Sequence, residues 1–126
     1  MAFQLLLNFL SFMIGLTARN NRAIKEMLTT RDRVYVIKTK DGKYGRRFII
    51  KDGKYSSDTV LQDYELAFIF KDADTGFKTL ALGGDTGLQI ALNNYDMKLD
   101  GNPHIFNFFG VLIAVSMGMM KRKEIK

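Results

Sequence analysis

The stretch RVYVIKTKDGKYGRRFIIKDGKYSSD, residues 33–58, decides the fold. Two runs in it, RVYVIKTK (33–40) and RRFIIK (46–51), are dense in β-branched and aromatic residues, which suit a pleated, half-buried surface. Each run is closed by the same pentapeptide, KDGKY, at 40–44 and again at 51–55. Asp-Gly supplies the positive φ that tight hairpin turns need. Two such turns in succession predict a three-stranded antiparallel meander whose last strand covers about Tyr55 to Thr59.

Downstream, YELAFIFK (64–71) reads as a fourth strand covered on both faces, with Leu66, Phe68 and Phe70 on one side and Ala67 and Ile69 on the other. Asp72-Ala73-Asp74-Thr75 offers capping groups for a short helix through Phe77, Leu80 and Leu82, stopped by Gly83-Gly84. A second short helix runs from Asp85-Thr86 through Leu88, Ile90, Ala91 and Leu92 to Asn93-Asn94, where asparagine tolerates the left-handed conformation of a helix end. In YDMKLDG (95–101) Tyr95, Met97 and Leu99 alternate with Asp96, Lys98 and Asp100, the pattern of an edge-like or half-buried strand. Asn102-Pro103 then opens the last helix, HIFNFFGVLIAVSMGMM (104–120), with asparagine as cap and proline at its preferred first position. Gly110, Ala114 and Gly118 recur there every four residues, a bare side that predicts tight packing on the sheet or on the N-terminal helix, with a membrane dimer motif as the rarer alternative.

Upstream, AFQLLLNFLSFMIGL (2–16) is interrupted only by Gln4, Asn8, Ser11 and Gly15, which share a helical period and form one narrow stripe. The rest of that helix is apolar and predicts burial on nearly every side. Counted to Leu16 it reaches about 22 Å, short of a hydrocarbon core about 30 Å thick. The basic n-region and the small-residue cleavage site of a secretory signal are missing. A break near Gly15 to Asn21 and an ordinary amphipathic helix up to Thr29-Thr30 complete the segment.

Composition narrows the function. Of 126 residues 47% are apolar, enough for one core and one domain, spanning 1–126 with apolar N-terminal helices (1–30) and a basic tail (121–126). The absence of cysteine removes disulfides, thiolate metal sites and cysteine nucleophiles, and the single histidine, His104, defines no site by itself. Gly83-Gly84-Asp85-Thr86-Gly87 lacks the lysine and spacing of a phosphate loop, and Asp72 and Asp74 sit where capping explains them. No enzymatic activity, cofactor or metal is therefore expected. The formal charge is +6, and the basic residues include Arg19, Arg22, Lys25, Arg31, Arg33 and Lys121-Arg122-Lys123. Without interleaved exposed aromatics these do not read as a nucleic-acid surface; a solvated basic surface is the default reading, and, flanking apolar helices, they also fit an anionic membrane surface.

The element order, with FIIKDGKYSSD (48–58) and the block YELAFIFKD…FKTLALGG…LQIALNNYDMKLDGN, resembles the sterol carrier protein 2 (SCP-2) family over about residues 32–120. Lys98, Leu99 and Gly101 match the end of the family's last strand. Asn93 and Asn94 stand where the family commonly has glycine, and Asn102 where it has aspartate. The resemblance implies a two-layer α+β fold with a mixed, mostly antiparallel five-stranded sheet, helices on one face, and a hydrophobic tunnel between them. Leu66, Phe68, Phe70, Phe77, Leu80, Leu88, Leu92, Phe106, Phe109 and Ile113 are the expected lining, and the ligand a sterol, fatty acid or fatty acyl group. The competing expectation is an interaction module whose N-terminal helix packs on a partner, including a second copy in a homodimer. The expected location is the cytoplasm, peripheral to a membrane where the basic flanks meet one.

Overall fold

A computed structural model describes the backbone of residues 2–82 and 87–125 and the side chains of 2–81 and 87–116. Helices α1 (Ala2–Asn20) and α2 (Arg22–Leu28) precede three strands, β1 (Arg33–Thr39), β2 (Gly45–Lys51) and β3 (Lys54–Asp58). Then follow β4 (Leu66–Phe70), α3 (Ala73–Leu82), α4 (Gly87–Asn93), β5 (Met97–Gly101), a 3-10 turn (Pro103–Ile105) and α5 (Phe106–Ile125). The sheet order is β3-β2-β1-β4-β5, with every pair antiparallel except β1 and β4. This is the mixed five-stranded sheet of the expected α+β fold.

The parallel pair has a topological consequence. Residues 59–65 must carry the chain from the β3 edge across β2 and β1 to reach β4. They cross the face away from the helices, where Arg47 on β2 donates to the carbonyls of Gln62 (3.1 Å) and Asp63 (3.4 Å). The other face carries Tyr35, Ile37, Phe48, Ile50, Leu66, Phe68 and Phe70, all buried in one cluster with the helices. Alternation along each strand sorts these residues to the helical side.

The two KDGKY turns differ. The second is the two-residue hairpin that Asp-Gly predicts, with Asp52 and Gly53 at φ 53° and 76° and Lys51 facing Lys54. In the first only Gly42 has positive φ, and the loop is closed by Thr39 and Tyr44, whose backbone bond is 3.0 Å. There the Thr39 hydroxyl donates to the Asp41 carboxylate (2.7 Å), which accepts the Lys43 amide as well (3.0 Å). Ile50 has no hydroxyl with which to capture Asp52 in the same way.

Helix ends follow their capping residues. Asp72 accepts the Thr75 amide at the start of α3, and Asn102 accepts the His104 amide ahead of α5. The helix stop expected at Gly83-Gly84, with its start at Asp85-Thr86, lies outside the described residues. At the end of α4 the left-handed residue is Tyr95, φ 61°, rather than Asn93 or Asn94. The Asp96 amide turns back there to the Ala91 carbonyl (2.9 Å), which places the reversal one residue later. Gly101, the family-like glycine, has φ 116°, and a Cβ there would sit 2.1 Å from the Glu65 carbonyl oxygen. Only glycine lets β5 leave the sheet with the Asn102 amide bonded to that same carbonyl (2.8 Å).

Candidate functional site

The helical layer is where function was expected, and its two apolar helices are built differently. In α1 three adjacent stripes share one helical period. Phe3, Leu7, Leu10 and Ile14 point into the core and are fully buried or within 1% of it. Gln4, Asn8, Ser11 and Gly15 lie one residue further round and meet the edge of the sheet. The Gln4 carboxamide exchanges two hydrogen bonds, each 3.0 Å, with the backbone of Gly45, so it continues the β2 ladder beyond the point where β3 ends. Asn8 accepts from Arg46 (3.1 Å), Ser11 bonds the Tyr55 hydroxyl (2.7 Å), and Gly15 faces the Tyr55 ring.

The third stripe is Leu5, Phe9, Phe12 and the half-buried Leu16. Leu5 is 67% exposed, Phe9 39% and Phe12 59%. The expectation that this helix is buried on nearly every side is therefore corrected. Its polar stripe spends itself on the sheet edge, which leaves an apolar stripe to face outward. Covering those three side chains would return about 2–5 kcal/mol of transfer free energy. α1 is also longer than the count to Leu16 gave: at 19 residues it is long and apolar enough to cross a membrane by length and composition alone. Its Phe3-Leu7-Leu10-Ile14 stripe is nevertheless committed to the core.

α5 shows the ordinary pattern through its described turns. Phe109, Leu112 and Ile113 face inward, and Val111 is 46% exposed. Phe109 stacks on Tyr35 with ring centroids 4.2 Å apart, Phe106 stacks on Phe68 at 5.6 Å, and Phe109 meets Phe48 at 5.2 Å. The Tyr35 hydroxyl donates to the Ile105 carbonyl (2.7 Å), and burial holds its pKa well above the usual phenol value. Arg33 lies over the Phe108 ring at 3.9 Å. Gly110 meets nothing within 4 Å of where a Cβ would be, so the expected close approach at the Gly-Ala-Gly stripe does not occur there; the Gly118 side lies outside the described side chains.

The ten residues expected to line an interior come together in one core. Leu66, Phe68, Phe70, Leu80, Leu88, Phe109 and Ile113 are buried in it, while Phe77, Leu92 and Phe106 are half-buried and packed against it. Stacked rings fill the sheet side of that core. Two buried polar atoms among the described residues lack a partner, Arg33 Nε and Ser116 Oγ. No group of three or more His, Cys, Asp or Glu able to hold a metal occurs among the described residues. His104 is exposed on the 3-10 turn.

A cavity of about 420 Å³ lies elsewhere, at the far end of α1, lined by Gly15, Ala18, Arg19, Lys25, Gly53, Lys54 and Tyr55. Sequence reasoning grouped Arg19 and Lys25 as a helix flank and missed Lys54, which a hairpin brings to them. The only signal was the basic character of both segments.

No family model matches the sequence, and no curated protein matches it. Among solved structures, the chain is similar to a UbiJ-SCP2 ubiquinone synthesis protein with a TM-score of 0.67 at 11% identity, over 89% of this chain and 96% of that one. At 11% identity the likeness is one of fold. In fold, this chain is an SCP-2-like domain.

Proposed function

We infer that the chain binds a hydrophobic ligand of the lipid class, without chemistry, between the sheet and the helical layer. The single observation that carries this reading is the gathering of all ten expected apolar residues between the sheet and the helices of an SCP-2-like fold. The ligand's chain inserts at the half-buried Phe77, Leu92 and Phe106 and runs against Leu80, Leu88 and Ile113, and the stacked Tyr35 and Phe109 rings close its inner end. The unmet Ser116 hydroxyl offers a polar anchor, since such a group costs about 1–3 kcal/mol when left unpaired. The structural neighbour's part in ubiquinone synthesis supports the lipid class, ubiquinone being itself a lipid. Arg19, Arg22 and Lys25, exposed beyond the end of the outward stripe of α1, favour an anionic membrane surface as the place where ligand is exchanged.

Titration with a fluorescent fatty acid tests the reading. Saturable uptake is expected, weakened at least tenfold by Phe106→Asp and Leu92→Asp, because a charge at the rim of an apolar site opposes entry. A folded protein that takes up no probe overturns it. A second reading rests on the outward stripe of α1, where Leu5, Phe9 and Phe12 expose apolar surface for something apolar to cover: α1 seats a partner chain, including a second copy. In that case replacing Leu5, Phe9 and Phe12 by serine abolishes a dimer in sedimentation and leaves probe uptake intact.

A further inference from the structure

The cavity at the end of α1 has a different character from the apolar interior. Three separate segments build it. The C-terminal end of α1 contributes Gly15, Ala18 and Arg19, α2 contributes Lys25, and the β2–β3 hairpin contributes Gly53, Lys54 and Tyr55. Of the seven lining residues three are cations and none is acidic. None of the three takes part in the ion pairs of the described residues, which use Arg31, Arg47, Lys71 and Lys78. Other strand cations, Lys51 and Lys98 among them, are also outside those ion pairs; what sets Arg19, Lys25 and Lys54 apart is that they surround one concave space.

The frame around them is fixed. Asn21 caps α2 by accepting the Ile24 amide (3.1 Å), which sets Lys25 relative to Arg19 across a single linking residue. The carbonyls of Thr17 and Asn21 are taken up by the amides of Asn21 (2.8 Å) and Lys25 (2.9 Å), so two of the carbonyls at this helix junction do not present a bare negative end to the cavity. On the hairpin side, the Asp52 amide is held by the Asp32 carboxylate (2.9 Å) and Gly53 packs against the Thr29 side chain. Tyr55 brings an aromatic wall; its hydroxyl is occupied by Ser11, and burial raises its pKa, so it stays a neutral phenol.

We propose that this cavity is a binding site for a phosphate-type oxyanion, held by Arg19, Lys25 and Lys54 with the Tyr55 ring beside it. A guanidinium fork and two ammonium groups are the donors that such an anion needs, and a partly enclosed site strengthens their attraction over that in bulk water. The volume leaves room for a small organic substituent on the phosphate, and the Gly15 and Ala18 wall accepts apolar atoms. The phosphate comes either from a lipid headgroup or from a free phosphate compound. The site stands apart from the apolar interior, so it does not depend on a lipid being held there.

The test is a titration of the isotope-labelled full-length chain followed by amide NMR, with inorganic phosphate in one arm and a soluble short-chain phosphatidic acid in the other. Saturable shifts centred on Gly15, Gly53 and Lys54 are expected in at least one arm. Saturation by phosphate alone assigns a free phosphate compound; saturation by the lipid only assigns a headgroup. The exposed, unpaired Arg19→Gln and Lys25→Gln changes should each weaken binding about tenfold, the usual size for a charged hydrogen-bond donor. Lys54→Gln provides a third variant on a separate segment, and unchanged melting curves certify that all three fold. Shifts that fail to saturate in both arms, that fall away from the cavity, or that survive the double change at Arg19 and Lys25 overturn the proposal.

Discussion

α1 and α5 are both almost uniformly apolar helices in the same layer, and the fold uses them in opposite ways. α5 turns its aromatic side inward, where Phe109 and Phe106 stack on Tyr35 and Phe68, and among its described side chains it exposes scattered positions such as Val111. α1 spends its few polar residues on the sheet edge and leaves Leu5, Phe9 and Phe12 facing out. The difference teaches that a helix's polar stripe marks its solvent face only when no unsatisfied backbone lies nearby. β2 extends past β3, and its free Gly45 groups provide such backbone.

The comparison is broken most severely at α5. Phe109→Ala removes a fully buried ring stacked on Tyr35 and should cost about 3–5 kcal/mol in denaturant unfolding. A loss below about 1 kcal/mol would mean that α5 is not an anchor of the core. Next comes the polar stripe. Gln4→Leu makes α1 more apolar yet should destabilise it by about 1–3 kcal/mol, because the Gly45 amide and carbonyl lose their partners. A neutral or stabilising result would show that the stripe does not dock the helix.

A third test uses the two phenols that tie the helices down, Tyr35 to Ile105 and Tyr55 to Ser11. Burial raises the pKa of both, so each stays protonated in the folded chain where the unfolded chain would ionise. Their contribution is therefore fully present below about pH 10, the unfolded value, and is lost as pH rises above it. Stability measured from neutral to alkaline pH should fall from about pH 10 upward, and the fall should shrink in Tyr35→Phe. The smallest effect on stability belongs to the outward stripe. Leu5→Ser, Phe9→Ser and Phe12→Ser should each change unfolding free energy by roughly 0.5 kcal/mol or less while lowering association with anionic vesicles in flotation.

Much of the fold was legible in residues 33–101. The β1-β2-β3 meander followed from β-branched runs and Asp-Gly turns, and caps at Asp72 and Asn102 lie where their side chains predict; the parallel pairing of β4 with β1 did not follow from them. What was not legible depended on distant partners. The same pentapeptide makes two turns because Thr39 precedes one and Ile50 the other. Gln4, Asn8, Ser11 and Gly15 were visible as a stripe, but their direction is set by strands some forty residues away. Of the site, the ten apolar residues were found as a cluster because alternation and helical period sort them inward. The basic cavity was not, because Arg19 and Lys25 meet Lys54 only through the packing of α1 on the hairpin.

The central claim is that the apolar layer of this SCP-2-like fold serves a lipid. Native mass spectrometry of the full chain after mild extraction tests it most directly. The account predicts a folded protein carrying an additional mass that is released by organic solvent and identified as a lipid. A folded chain of bare mass that also fails to gain mass on incubation with fatty acid would contradict it.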